Sequence, residues 1–197
     1  MGARLNILPD ERISSLTPSL ENRLISVGEQ VRPENFPSLC DGMIRHVLEQ
    51  GFELAGADSG LVWLLDATRE NLVPCYGVGE SAEKLVLNYH QPLREGIVSM
   101  VMMSEQPFVE NEVFKNAHHS KIVDMKLQQQ TYAMIVVPFY FLRQCRGVIS
   151  CVQLKEPGSD DIDPPGFRAE HLQAIQRAAS VLTELIDYRL LRQTVQW

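Results

Sequence analysis

One stretch, Thr131 to Leu154 (TYAMIVVPFYFLRQCRGVISCVQL), limits what this chain can fold into more than any other. Ala133 to Phe141 is a run of nine residues without a charge, rich in β-branched and aromatic side chains. Val148 to Leu154 is a second such run, interrupted only by Ser150 and Gln153. Between them Arg143, Gln144 and Arg146 favour water. Two β-prone runs joined by a short polar connection predict an antiparallel hairpin. Their near-continuous apolarity, in place of strict alternation, predicts that both faces are covered. Pro138 has no N–H, so it is expected at a bulge or where pairing ends. The expected fold class is therefore α+β, with this hairpin at the centre of a sheet that carries helices.

The flanking segments agree. From Glu11 to Arg32, Ile13, Leu16, Leu20, Leu24, Val27 and Val31 recur at helical spacing, with Thr17-Pro18 reading as an N-cap and first helical residue. Glu34 to Ala55 reads as a second helix whose wide apolar stripe suits packing on a sheet. Gly60 to Asp66 and Leu72 to Val78 read as a first strand and its return, with Pro74 placing the latter toward an edge. Short helices are expected over Ser81–Tyr89, capped by Ser81, and Gly96–Glu105. Asn111 to Gln130 is the most polar and least regular region, a flap with one apolar side. Pro157, Asp160, Asp161 and Pro164 mark a solvated loop. Phe167 to Gln193 reads as a long closing helix, in which Leu172, Ile175, Ala179, Leu182 and Ile186 form a short heptad strip. Ala178, Val181 and Leu185 form a second strip, available to a partner helix.

Composition excludes several classes. A net charge of −7 lacks the basic footprint of a nucleic-acid-binding chain. No apolar run approaches the ~18 residues of a membrane span. Met1 to Asp10 has no signal-peptide core, so the expected location is the cytoplasm. Cys40, Cys75, Cys145 and Cys151 form no C-x-x-C pair and have no histidines at zinc spacing. Reduced thiols and no metal are expected. Gly77-Val78-Gly79 before a helix mimics a dinucleotide fingerprint, but the strands around it read as antiparallel.

In order and spacing the motifs resemble a GAF domain, a relative of the PAS fold. Ala57 to Asp66 is similar to the family's first strand. Leu93-Arg94-Glu95-Gly96-Ile97 resembles its L-x-x-G-I start to the crossover helix, and Gln106-Pro107-Phe108-Val109 the end of that crossover. Val136-Val137-Pro138-Phe139 and Gly147-Val148-Ile149 resemble its V-P-L/I and G-V-L strands, and Phe167 with Leu172 the start of its closing helix. The resemblance implies a three-layer arrangement with a central antiparallel sheet of five to six strands in core order 2-1-5-4-3. The N- and C-terminal helices lie on one face and the crossover segments on the other. It divides the chain into an N-terminal helical extension (1–33), a GAF-like domain (34–192) and a tail (193–197).

Functionally the resemblance implies a sensory or regulatory domain that binds a small molecule between sheet and crossover. It also implies a homodimer through the terminal helices and an effector domain or protein as partner. The alternatives are an interaction module whose pocket is filled by its own side chains, and a cyclic-nucleotide-binding GAF domain. Relatives of the last kind carry Asn-Lys after the last strand and then Phe and Asp-Glu. Here the stretch reads Lys155-Glu156, then Phe167 and Glu170-His171. Family members that reduce free methionine sulfoxide carry cysteines within the crossover, and Gly79 to Thr131 contains none. No catalytic triad, metal set or redox pair is present in the sequence, so an enzyme is not expected.

The candidate ligand-binding residues follow from this division. Trp63, Tyr132, Met134 and Val136 lie on the predicted central strands, and strand period places the last three on one face. Whichever strand residues face the crossover form the apolar wall of a pocket. Phe114, Ile122 and Met125 supply the apolar side of the flap. His118-His119 with Lys121 and Asp124 is the densest polar cluster. Adjacent histidines on a helix diverge by about 100°, which disfavours a shared metal. The functional expectation is that one histidine and Lys121 reach an anionic or polar ligand at the pocket lip, with His118, Lys121 and Asp124 as the candidate residues. The bland alternative is a solvated loop.

Overall fold

The computed structural model describes residues 16–158 and 162–195. Ile13 of the first helical stripe, Asp160 and Asp161 of the solvated loop, and the chain beyond Val195 lie outside the described residues. In chain order the elements are α1 (Thr17–Gln30), α2 (Gly42–Ala55), β1 (Ser59–Leu65), β2 (Asn71–Val78), α3 (Glu80–Leu85), β3 (Gln91–Pro92) and α4 (Ile97–Ser104). There follow β4 (Phe108–Glu110), α5 (Ile122–Leu127), β5 (Gln130–Phe141), β6 (Gln144–Lys155) and α6 (Ala169–Val195). Short 3₁₀ turns cover Phe36–Leu39 and Val113–Lys115.

The expected hairpin is the longest pairing in the molecule. β5 and β6 are antiparallel from Gln130↔Lys155 to Phe141↔Gln144. The strands run further than the polar residues suggest, and the connection shrinks to Leu142 and Arg143, both at positive φ (50° and 61°). Two such residues turn with the hand that matches strand twist. For non-glycine residues this costs about 1–2 kcal/mol each. The turn is held from outside: the Leu142 N–H donates to the Asp187 carboxylate on α6 at 2.7 Å. Pro138 pairs with Val148 but lies beyond the end of the β4–β5 ladder, which stops at Phe108↔Val136, so its missing N–H interrupts no pairing on that side.

The sheet has six strands in the order β3-β2-β1-β6-β5-β4, and its ladders are antiparallel. Leaving out the two-residue β3 and renumbering gives the 2-1-5-4-3 order implied by the family resemblance. The antiparallel β1–β2 pair also removes the dinucleotide reading of Gly77–Gly79. Pro74 sits opposite Trp63 at a register shift in that pair, a bulge where its missing N–H is tolerated.

Both faces of the hairpin are covered. On one face Ala133, Ile135, Val137, Phe139 and Phe141 of β5 pack with Ile149 and Cys151 of β6 against α2 (Ile44, Leu48, Phe52) and α6 (Ile175, Leu182, Ile186). On the other, Trp63, Val136 and Val148 pack against α3 and α4 through Leu85, Ile97, Val98 and Val101. A fully buried Ile, Leu or Phe stabilises by about 1.5–3 kcal/mol, so these two layers hold the sheet from both sides. Along α6 the heptad strip faces the sheet, while Val181 remains 42% exposed and Tyr188 58%.

Three local expectations are corrected. Glu34–Ala55 is not one helix. Pro37 is accommodated in the 3₁₀ turn, and the Asp41 carboxylate then caps α2 by accepting the N–H groups of Met43 (3.0 Å) and Ile44 (3.1 Å). The N-caps of α1 and α3 are Leu16 and Gly79 rather than Thr17 and Ser81. Tyr132 does not share a face with Met134 and Val136. The register passes from Thr131↔Leu154 to Ala133↔Gln153, so Tyr132 is the extra residue of a bulge and packs with the terminal-helix core. A bulge breaks the two-residue period on which the expectation rested.

At Gly147 the centre of the sheet admits no side chain. A Cβ there would lie 1.8 Å from the Trp63 carbonyl oxygen and 2.9 Å from its carbon, which is backbone and cannot step aside. Gly147→Ala is expected to lose stability by at least the ~1–3 kcal/mol of an overpacked core, read as a lower urea midpoint. A midpoint unchanged from wild type would contradict this packing.

Candidate functional site

The space between the sheet and the crossover holds a partly open cavity of ≈ 70 Å³. Its floor is Ser59, Leu61 and Trp63 of β1, Thr131 and Met134 of β5, and Ser150 and Val152 of β6. One wall is Leu85, Gln91 and the start of α4 at Gly96 to Val98. The roof is the flap, through His119, Ser120, Val123 and Gln129. No lysine, arginine, aspartate or glutamate is among the lining residues.

The flap packs on the crossover core through Val113, Val123 and Leu127, and one carboxylate ties it to the edge of the cavity. Asp124, in the first turn of α5, accepts the Thr131 hydroxyl at 2.6 Å on one oxygen and the Thr131 N–H at 3.0 Å on the other. The second oxygen also lies 3.0 Å from His119 Nε2. Burial pushes the Asp124 carboxyl up, but the hydrogen bonds from His119 and Thr131 outweigh it and hold the group below its usual value. An ionised carboxylate only accepts, so Nε2 carries a proton and donates to it, which leaves Nδ1 as the ring's second polar atom. The His119 side chain is 7% exposed, lines the cavity, and makes no hydrogen bond through Nδ1 among the described residues.

The opposite wall is equally ordered. The Tyr89 hydroxyl donates to Gln91 Oε1 at 2.8 Å, and Gln91 Nε2 donates to the Glu95 carbonyl at 2.8 Å. Ser99 donates to the Pro92 carbonyl at 2.9 Å. Gly96 joins this wall to α4 at φ +83°, a backbone conformation suited to glycine, and a Cβ there would lie 3.2 Å from Gln91 Nε2. That is the physical content of the glycine in Leu93–Ile97. On the floor, the Trp63 indole donates to the Ser150 hydroxyl at 2.8 Å and meets Tyr89 edge-on, with ring centroids 6.1 Å apart.

The sequence candidates divide among four places. Trp63 and Met134 line the cavity, and Asp124 stands directly behind His119. Val136 shares their face but is buried in the adjoining core. Phe114 and Tyr132 stack on each other at 5.6 Å, away from the cavity lining. His118, Lys121, Ile122 and Met125 are exposed on the outside of the flap. Sequence reasoning found the polar cluster but selected His118 over His119, because alternation within an irregular loop does not reveal which ring turns inward. It also passed over Gln91, Thr131 and Ser150. The available signal was a hydroxyl inside an otherwise apolar strand, visible at Ser150.

The redox groups lie elsewhere. The four cysteines are free. Burial pushes the Cys40 and Cys145 thiols up to about 11 and Cys151 up to about 12, and raises Cys75 well above its usual value. Among the described residues no cluster of three His, Cys, Asp or Glu side chains is placed to hold a metal. No helix among them is long and apolar enough to cross a membrane.

Solved structures with the same fold are numerous. The GAF domain of a phosphoenolpyruvate-protein phosphotransferase from Coxiella burnetii superposes with a TM-score of 0.60 at 13% identity, over 93% of this chain and 97% of that one. The GAF-B domain of DevS from Mycobacterium smegmatis does so with a TM-score of 0.56 at 18% identity, over 77% and 96%. A free methionine-R-sulfoxide reductase from Neisseria meningitidis, solved with its substrate, gives 0.55 at 15% identity, over 98% and 99%. No family model and no curated protein matches the sequence. At these identities the likeness establishes the fold, which is that of a GAF domain.

The Asp124 fastening has a pH signature. A carboxyl whose value is lowered in the folded state contributes stability above its ordinary value of 3.8 and loses it as pH falls through the lowered folded value. Asp124→Asn is expected to cost about 1–3 kcal/mol at pH 7 in urea unfolding. The difference from wild type should shrink below about pH 4. A difference that stays constant across that range would show that the ionised carboxylate does not hold the flap.

Proposed function

We propose that this chain is a cytoplasmic sensory or regulatory domain of the GAF type. It binds a small, uncharged, polar molecule in the Trp63–Thr131 cavity and passes the occupancy to its terminal helices. The observation that carries the reading is the cavity's lining. An indole, several hydroxyls, two carboxamides and one imidazole converge on it, with no charged side chain among them. Burying a phosphate or carboxylate without a cationic partner is costly, which disfavours a cyclic nucleotide. A volume of ≈ 70 Å³ also lies well below the ~300–1,000 Å³ of drug-sized sites. Trp63 and Met134 supply the apolar surface. His119 Nδ1 would accept from a donor on the ligand.

The route to the helices is the strands themselves. Thr131, Met134 and Ser150 face the cavity, while Ala133, Ile149 and Cys151 on the same strands pack toward α2 and α6. A ligand that prefers one seating of β5 and β6 therefore biases the packing of α6. Exposed Val181 and Tyr188 on α6, with Met43 and Leu54 on α2, support a homodimer through the terminal helices that relays the signal to an effector. The division into an extension (1–33), a sensory domain (34–192) and a tail (193–197) belongs to this reading. Catalysis does not: thiol chemistry like that of the sulfoxide reductase would need a cysteine at the cavity, and none lines it.

A second reading, an interaction module without a ligand, draws support from the cavity's small size. The two differ in a thermal-shift screen of small neutral metabolites, because a ligand of the folded state must raise its melting temperature. The sensor reading expects at least one compound to raise it saturably and to change Trp63 fluorescence. It expects Val123→Phe, which narrows the cavity, to abolish that response. No shift across the screen supports the interaction module. For the dimer, light scattering of wild type at micromolar concentration is expected to give twice the chain mass, and Val181→Asp with Tyr188→Asp to give one. A monomeric wild type removes the helical relay.

A further inference from the structure

A second, smaller cavity lies at the opposite end of the sheet, where the C-terminal part of α1 meets the β1–β2 and β5–β6 turns. It measures ≈ 20 Å³ and is lined by Arg32, Arg69 and Arg146 together with Leu64 and Phe141. Three guanidinium groups converge there in a chain whose net charge is −7. The carboxylate present is Glu29 of α1. One of its oxygens takes Arg69 Nη2 at 2.5 Å and the other Arg146 Nη1 at 2.8 Å. Both guanidiniums hold the Glu29 carboxyl below its usual value. Glu29 thus pairs with two of the three arginines, and no carboxylate is among the residues that line the cavity.

Two further facts make this a site rather than a crowded surface. The Arg146 side chain is 10% exposed, and its Nε and Nη2 are buried with no hydrogen-bond partner among the described residues. Buried guanidinium N–H groups left unpaired are costly. Arg32 also lines the cavity, and its guanidinium makes no hydrogen bond or ion pair among the described residues. A water can satisfy an N–H group but leaves the charge excess in place. The space exceeds the ~10–15 Å³ minimum for one water, and part of its wall is apolar.

We infer that this joint is a binding site for a small anion, either a chloride-sized ion or a single carboxylate group no bulkier than formate. The anion completes the hydrogen bonds of Arg146 Nε and Nη2 and shares its charge with Arg32 and Arg69. It thereby fastens α1, through Glu29 and Arg32, to the sheet end. The site is separate from the Trp63 cavity and does not depend on what that cavity binds.

The test is thermal unfolding of the full chain at fixed ionic strength, with sodium gluconate replaced stepwise by sodium chloride or sodium formate. Gluconate is too bulky to enter. Saturable stabilisation is expected, a rise of roughly 5–10 °C at about one hundred times Kd. The chloride and formate series separate an ion site from a carboxylate site. Hydrogen exchange of the α1 amides from Leu24 to Gln30 should slow in parallel. Arg32→Gln, which removes no described contact, is expected to melt at the wild-type temperature in gluconate and to need at least tenfold more anion. Arg146→Met should lose the response. Equal melting temperatures in all three salts, or an unaltered response in Arg32→Gln, would overturn the inference and leave a hydrated arginine.

Discussion

The antiparallel pairing of β5 with β6 places residues on both sides of one sheet at once, and every other layer is positioned by it. On Gln130–Phe141 and Gln144–Lys155, alternate residues point to opposite faces. One set is covered by α2 and α6, the other by the crossover helices and the flap. The pairing tolerates no separation from β1, because Gly147 lies against the Trp63 backbone. That contact also fixes Trp63, whose indole then reaches Ser150 across the strand boundary. The central strands and the cavity floor are thus one object.

Over that floor the roof is held differently. The terminal helices bury large apolar surfaces, whereas the flap presents mostly polar residues and a six-residue α5 without a buried side chain. It is attached by a few apolar contacts (Val113, Val123 and Leu127), by Asn111 to the Phe167 backbone, and by Asp124, which ties it to Thr131 and meets His119 with the same carboxylate. A few hydrogen bonds are worth about 1 kcal/mol each, against far more for the packed face. The bulge at Tyr132 separates the two regimes. It turns Tyr132 toward the terminal-helix core, where its ring meets Phe114, and leaves Thr131 and Met134 over the cavity.

At the far end of the sheet, packing and charge combine again. The Leu142–Arg143 turn carries positive φ at two ordinary residues, and it is held by Asp187 and by close packing of Leu142 toward Gly28 of α1. Burial raises the Asp187 carboxyl, offset in part by the Leu142 N–H. Arg146, just past the turn, is covered by the same helix and pairs with Glu29. The terminal helices therefore contact the strands both across the sheet face and at its rim, and α1 is the element that rim charge can hold or release.

Local pattern along the chain is enough to specify the sheet and the helices that cover it. Near-continuous apolar runs from Ala133 to Phe141 and Val148 to Leu154 leave no solvated face, and the heptad spacing of Leu172 to Ile186 gives α6 one apolar side to set on the sheet. These are properties of local period and hydrophobicity, which the chain carries residue by residue. Only the tertiary structure decided which side chains converge. The choice of His119 over His118 depends on a flap with no regular period. The exclusion of Tyr132 from the cavity depends on one extra residue in a ladder. The meeting of Arg32, Arg69 and Arg146 depends on three distant segments reaching the same edge. Each is a relation between positions far apart in the chain, and no local pattern encodes it because the energy that fixes it arises only when those segments pack.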